Sequence, residues 1–181
     1  MSEKAEIWKR KSSKQVADCR VFKVREDIST RESDALEHSF YVIESPDWVN
    51  VIAITNENKV LLIEQFRHGT EEIILEIPGG MIDENEEPEK AARRELLEET
   101  GFSADEFIYL GKSRPNPAIQ NNWMHHFLAP NAEKLHDTTF DEHESVLSKL
   151  VSIEEIPNLI ANGAITHSLV ITAFFLLDLR K

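Results

Sequence analysis

Hydrophobic and polar positions change rhythm several times along the chain, and each rhythm predicts an element. "WVNVIAITNENKVLLIEQFR" (48–67) holds two runs of Val, Ile and Leu around the polar Asn56-Glu57-Asn58, which predicts strand, turn, strand. "EIILEIPGG" (72–80) predicts another short strand, stopped by Pro78 and by two glycines that let the backbone bend sharply. Residues 87–100 carry the best helical signal. Pro88 suits the first turn, "AARRELLEE" has high helix propensity, and Gly101 suits the C-terminal stop. "EFIYLGKS" and "NNWMHHFLA" read as strands on either side of the loop "RPNPAIQ". The acidic loop "HDTTFDEHE" precedes the strand "SVLSKLV", and "SIEEIPNLIANG" and "HSLVITAFFLLDLR" predict two closing helices. Upstream, residues 1–35 are charged and weakly patterned. There "QVADCRVFKVRED" alternates enough to predict a strand, with "HSFYVIES" as its hairpin partner. Strands and helices mix without regular βαβ alternation, so the expected class is α+β around a layered mixed sheet.

Composition narrows the function. A hydrophobic content of 41% in 181 residues supports one ordinary domain with a small appendage and excludes a disordered chain. The net charge of -13 repels a bare phosphate polymer, so nucleic acid is not the expected partner. A small anionic substrate remains compatible if divalent cations neutralise the site locally. Cys19 is alone, which excludes a disulfide framework. The opening "MSEKAEIWKRKSSK" shows no apolar signal region, and the longest apolar stretch, 169–177, is far too short for a bilayer. A soluble protein in a reducing, cytoplasmic setting is expected, with no membrane partner.

The chemistry concentrates in "GGMIDENEEPEKAARRELLEETGF", from Gly79 to Phe102. On a helical wheel Glu95, Glu98 and Glu99 share roughly 100° of arc. Ala92 and Leu96 border that stripe on the core side, and Arg94 borders it on the other, four residues before Glu98. Three bare carboxylates on one face repel each other, and a hard cation such as Mg²⁺ removes that cost. Gly79 and Gly80 can bring backbone carbonyls close to such an ion. A solvated acidic helix face is the bland alternative for the three glutamates alone.

The full spacing decides between them. Gly80, five residues, Glu86, seven residues, Arg94-Glu95-Leu96, any residue, Glu98-Glu99, any residue, Gly101-Phe102 resembles the Nudix hydrolase signature at every fixed position. The resemblance implies an α/β/α sandwich around a mixed central sheet, here with an N-terminal β-hairpin extension. It implies metal-dependent hydrolysis of a nucleoside diphosphate linked to another group, with Mg²⁺ or Mn²⁺ as cofactor. It gives Glu95 and Glu99 as principal metal ligands, Glu98 as a third ligand or part of a second metal site, and the Gly79 carbonyl as a further donor. Glu86 and Arg94 would brace the loop–helix geometry beside Gly80.

The flanks "VLLIEQFRHG" and "LEIPGGMID" resemble the ADP-ribose and nucleoside diphosphate sugar pyrophosphatase branch, over about residues 40 to 180. Gly79 departs from it, since many ADP-ribose hydrolases carry alanine there. The resemblance implies that Arg67 contacts the diphosphate, because a guanidinium matches phosphate oxygens. Glu76 would reach the metal site, a substrate hydroxyl, or a structural hydrogen bond. Metal-bound glutamates are poor bases, so the acidic loop is expected to supply the base: Glu142 first, Glu144 second, with Glu98 as the alternative. Trp48 either stacks the nucleobase or fills the core. Asn116, in the proline-ordered loop, either lines the sugar pocket or belongs to an ordinary turn. His125 and His126 alternate across a strand and should face opposite ways. The expected organisation is an arm over residues 1–45, dimerising, and a hydrolase domain over 46–181. Competing functions are hydrolysis of dinucleoside polyphosphates or capped RNA, and a non-catalytic nucleotide-sugar sensor.

Overall fold

The computed structural model describes residues 5–137 and 146–180. The chain divides into two compact units, Met1–Pro46 with Arg114–Asn122, and Asp47–Ser113 with Trp123–Lys181.

In the first unit three antiparallel strands follow one another: β1 (Trp8–Asp18), β2 (Lys23–Arg31) and β3 (Glu37–Glu44). "QVADCRVFKVRED" is two strands, with a turn between Asp18 and Lys23. No glycine, proline or asparagine marks that turn. Arg20 takes a positive φ of 66°, and its amide donates to the Asp18 carboxylate at 3.1 Å, so an aspartate side chain does the work of a turn residue. The expected pairing of "HSFYVIES" is present, with Lys23 opposite Glu44 and Thr30 opposite Glu37.

The second unit is built on a mixed sheet. Its strands are β4 (Trp48–Ile54), β5 (Lys59–Arg67), β6 (Glu72–Glu76), β7 (Gly79–Met81), β9 (Ile108–Ser113), β10 (Met124–Pro130) and β12 (Leu147–Ser152). The main path runs β12-β5-β4-β10-β9, with β6 on β5 and β7 on β4. β10 lies parallel to β4, and the remaining pairings of this sheet are antiparallel. β8 (Phe102–Ser103) and β11 (Glu133–Lys134) form a small separate ladder.

Alternation along β4 feeds two cores. Val49, Val51 and Ala53 face α1 (Pro88–Thr100), packing with Ala91, Ala92, Leu96 and Phe127. Ile52 joins Val60, Leu62 and Leu110 under α3 (Ser168–Asp178) and the short α2 (Ile156–Ala161), through Ile156, Val170 and Ala173. Helices therefore cover both faces of a mixed sheet, the layered α/β/α arrangement expected. α1 stops at Gly101, whose φ of 72° lets its amide return to the Leu97 carbonyl at 2.8 Å.

Gly79 and Gly80 do not bend the chain. They continue as a strand, Gly79 opposite Asn50 and Gly80 opposite Val49. Both are glycine because their neighbours come too close for a side chain. A Cβ on Gly79 would lie 2.8 Å from Asn50 Cα and closer still to the Val49 carbonyl. One on Gly80 would lie 2.5 Å from the carboxyl carbon of Glu95.

Candidate active site

α1 carries its apolar side into the sheet, which leaves the Glu95, Glu98 and Glu99 stripe beside β7. Arg94 organises the start of this surface. Its Nε and Nη2 reach the two oxygens of Glu86 at 3.1 and 3.0 Å, and Nη2 also donates to the Met81 carbonyl at 3.0 Å. Nη1 donates to Glu95 at 2.8 Å and to Glu98 at 3.2 Å. One guanidinium thus ties the loop after β7 to the acidic face of α1, a job that needs the planar fork of arginine. Glu86 holds the Arg94 proton firmly, well above the ordinary arginine range, and Arg94 in turn draws the Glu86 carboxyl down.

Glu95 behaves differently. Burial pushes its carboxyl up, Glu98 and Glu86 add repulsion, and Arg94 only partly opposes this. It is wedged against Gly80, under-neutralised, while Glu98 is 60% exposed. Glu99 accepts from the Gly79 amide at 2.9 Å. Among the described residues no three His, Cys, Asp or Glu side chains close around one metal position. The donors still suit a hard divalent cation in kind: three carboxylates on one face of one helix, with the buried Glu95 only partly neutralised by Arg94.

A second cluster gathers at Arg67 and Glu76. Arg67 Nε and Nη2 grip Glu76 at 2.7 and 2.9 Å, a two-pronged pair between neighbouring strands β5 and β6. Glu99 also acts on Arg67 through its charge. Glu76 is only 3% exposed, and its second oxygen also meets His167 Nδ1 at 2.9 Å. Burial pushes the Glu76 carboxyl up, but Arg67 and His167 together outweigh it and hold it at about 2. Both of its oxygens are therefore occupied by protein partners.

His167 escaped the sequence reading. It sits at the N-cap of α3 without capping it, because its ring turns to Glu76. Nothing local in "THSLV" signals this, since the partner lies 91 residues away in sequence. Trp48 opens β4 opposite Met81 and Met124, half-buried. Asn116 belongs to the first unit, where its carbonyl accepts from the Ile119 and Gln120 amides in a tight turn. Glu142 and Glu144 lie outside the described residues. His125 and His126 do face opposite ways. His125 lies near Asp47 and Tyr109, while His126 is fully buried against Asn50 and Ser113. At the other end of α1, about 15 Å from Glu99 by helical rise, a shallow concavity of about 580 Å³ is lined by Pro88, Lys90, Tyr109, His125 and Phe127. It contains none of the clustered carboxylates of the helix's last turn.

A NUDIX domain family model matches residues 45–174, most of the chain. The chain belongs to the Nudix hydrolase family. It is 32% identical over 141 residues to an ADP-ribose pyrophosphatase of Bacillus subtilis, covering 77% of this chain and 76% of that one. It is 33% identical, over the same shares of the two chains, to a methanol dehydrogenase activator of Bacillus methanolicus. Among solved structures, that of an ADP compounds hydrolase superposes with a TM-score of 0.85 over 98% of this chain and 95% of the other. At 23% identity this likeness speaks for the fold.

Proposed function

We infer that this Nudix hydrolase cleaves the diphosphate linkage of nucleoside diphosphate sugars such as ADP-ribose, giving a nucleoside monophosphate and a sugar phosphate. One observation carries the reading. Glu99 accepts from the Gly79 amide and its charge acts on Arg67, so a phosphate-matching guanidinium lies within electrostatic reach of the acidic helix. The similarity to an ADP-ribose pyrophosphatase supports the same substrate class.

Glu95, Glu98 and Glu99 are the residues that would hold Mg²⁺ or Mn²⁺, with the Gly79 carbonyl as a further oxygen. When bound, the cation would offset the diphosphate charge and acidify an attacking water. Glu86 and Arg94 hold the loop against the helix, and Gly80 gives Glu95 its room. Glu76 takes Nε and Nη2 of Arg67, which leaves Nη1 for a phosphate oxygen. The role of Glu76 in this scheme is to aim Arg67, with His167 behind it. Glu142 takes the proton of the attacking water, with Glu144 next and Glu98 as the alternative. Trp48 and Asn116 serve the base and sugar. We further propose a cytoplasmic homodimer in which the N-terminal arm, residues 1–45, makes the contact and 46–181 form the hydrolase domain.

The test is a product screen with Mg²⁺ across ADP-ribose, GDP-mannose, UDP-glucose and diadenosine polyphosphates. Monophosphate release from the sugars, dependent on metal, is expected. Turnover confined to dinucleoside polyphosphates would replace this reading with the other hydrolase activity, and no turnover of any diphosphate would favour a sensor.

A further inference from the structure

A buried polar chain runs under the sheet toward the Glu76 cluster. Asn50 of β4 and His126 of β10 lie side by side in parallel register. His126 is fully buried and Asn50 nearly so, at 0% and 4% exposure. The Asn50 amide nitrogen donates to the Leu169 carbonyl at 3.2 Å. That carbonyl can only accept, so the Asn50 oxygen must be the atom facing His126 Nδ1 at 2.8 Å. His126 therefore carries its proton on Nδ1, and Nε2 accepts from the Ser113 hydroxyl at 2.8 Å. Burial first, and His125 second, push His126 down to about 4, so the ring stays neutral and keeps this single tautomer near neutrality.

The far end of the chain matters most. Leu169 is the second residue of α3, and His167 is the residue just before that helix. The His167 carbonyl accepts from the Val170 and Ile171 amides at 3.0 and 3.1 Å, which fixes the backbone from which its ring reaches Glu76. Asn50 thus ties the first turn of α3 to the centre of the sheet. On the same strand Asn50 stands opposite Gly79, whose amide holds Glu99. Burying two polar side chains costs several kcal/mol unless every donor and acceptor is met. Valine and leucine would pack β4 and β10 more cheaply.

We propose that Asn50 and His126 are positioning residues that set the start of α3, so that His167 fixes Glu76 and Glu76 aims Arg67 at the substrate. The role of Arg67 rests on the diphosphate reading given above; the geometry from Ser113 to Glu76 does not.

The experiment is a double-mutant cycle in the full chain, with ADP-ribose and saturating Mg²⁺. His126→Leu removes both hydrogen bonds at similar volume. KM is expected to rise by at least about threefold, within the range for residues coupled through one network, with kcat within about twofold. His126→Gln can donate to Asn50 and accept from Ser113, and should restore KM. In a His167→Ala background His126→Leu should change KM by less than about 1.5-fold, because its route is already cut. Equal fold-changes in both backgrounds overturn the proposal, as does a KM unmoved by His126→Leu. If His126→Leu does not fold, Ser113→Ala runs the same cycle at smaller amplitude and is judged by the same two outcomes. Arg67→Ala checks the substrate reading separately. If that change leaves KM unaltered, the His126/His167 cycle is read instead by urea unfolding. Non-additivity there supports the positioning chain, and additivity overturns it.

Discussion

Arg67 stands opposite Glu72 in the β5–β6 register, yet its side chain reaches along the ladder to grip Glu76, the partner of Ile63, through two hydrogen bonds of 2.7 and 2.9 Å, and His167 meets the same carboxylate. The Glu76 carboxyl is held near 2, against about 4.3 for an unperturbed glutamate. A depressed folded-state value means the stabilising contribution is full above about pH 4.3 and is lost as pH falls toward 2. Glu76→Gln should flatten this part of the profile. Urea unfolding of the wild type should lose stability between pH 4.5 and pH 2 more steeply than that of the variant, by roughly one proton's worth of slope. Parallel curves would show that Glu76 is not the titrating group. At pH 7 the same variant should cost about 1–3 kcal/mol, since Arg67 loses its charged partner.

Gly79 and Gly80 are adjacent, yet substituting them should have opposite signatures. A methyl on Gly80 meets the flexible end of Glu95, which can move aside. Gly80→Ala should therefore leave the melting temperature within a few degrees, roughly the effect of 1 kcal/mol or less, while displacing a proposed metal ligand and cutting activity. A methyl on Gly79 meets the β4 backbone at Val49 and Asn50, which cannot yield without breaking the β7 pairing. Gly79→Ala should cost about 2–4 kcal/mol in chemical denaturation. Equal stability losses for the two variants would contradict these packing roles. The close β4–β7 spacing is the feature under test.

The strands, helices and acidic signature were legible because each is a local pattern. Two runs of Val, Ile and Leu around a polar turn gave β4 and β5, and the capped helix of residues 87–100 became α1 almost to the residue. Three features were not legible, each for a physical reason. The β1–β2 turn uses Arg20 and the Asp18 side chain, not a turn-forming residue type. The two glycines were expected to bend the chain, but a collision with Val49 or Glu95 is visible only once the sheet and helix are packed. His167 and the Asn50–His126 pair depend on contacts across 76 to 119 residues of sequence, which no local window contains.

Glu99→Gln tests the metal assignment. A glutamine oxygen can still accept from the Gly79 amide, so the fold should survive with the charge removed. Turnover should fall by at least about 10²-fold, the scale for losing a transition-state electrostatic contact. Activity within threefold of wild type at saturating Mg²⁺ would show that this helix is not the metal site. Glu95 adds a pH signature. Its carboxyl is pushed up by burial, so protons compete with the cation as pH falls, and the Mg²⁺ concentration for half-maximal activity should rise on acidification. Glu95→Gln should abolish that dependence and partly recover at high Mg²⁺.

The carboxylate base proposed to take the proton from water belongs to the acidic segment that precedes β12 in sequence. Glu95, Glu98 and Glu99 are poor bases once their lone pairs serve a cation, and Glu76 has both oxygens occupied by Arg67 and His167. The proposed base therefore comes from "DEHE", where Glu142 is the first choice and Glu144 the second. Removing a general base lowers kcat by roughly 10²–10⁴. KM should change little, because Arg67 and the metal ligands are untouched. The two glutamates are close enough in sequence for one to replace the other, so Glu142→Gln alone can look mild. The double variant Glu142→Gln/Glu144→Gln is the decisive one. Its defect should not recover with added Mg²⁺, unlike that of Glu95→Gln, because nothing about cation affinity has changed. Its pH–rate profile should also lose the acidic limb that reports the base. A double variant retaining near wild-type kcat on ADP-ribose would move the base elsewhere, with Glu98, 60% exposed and bonded to Arg94, next to be tested.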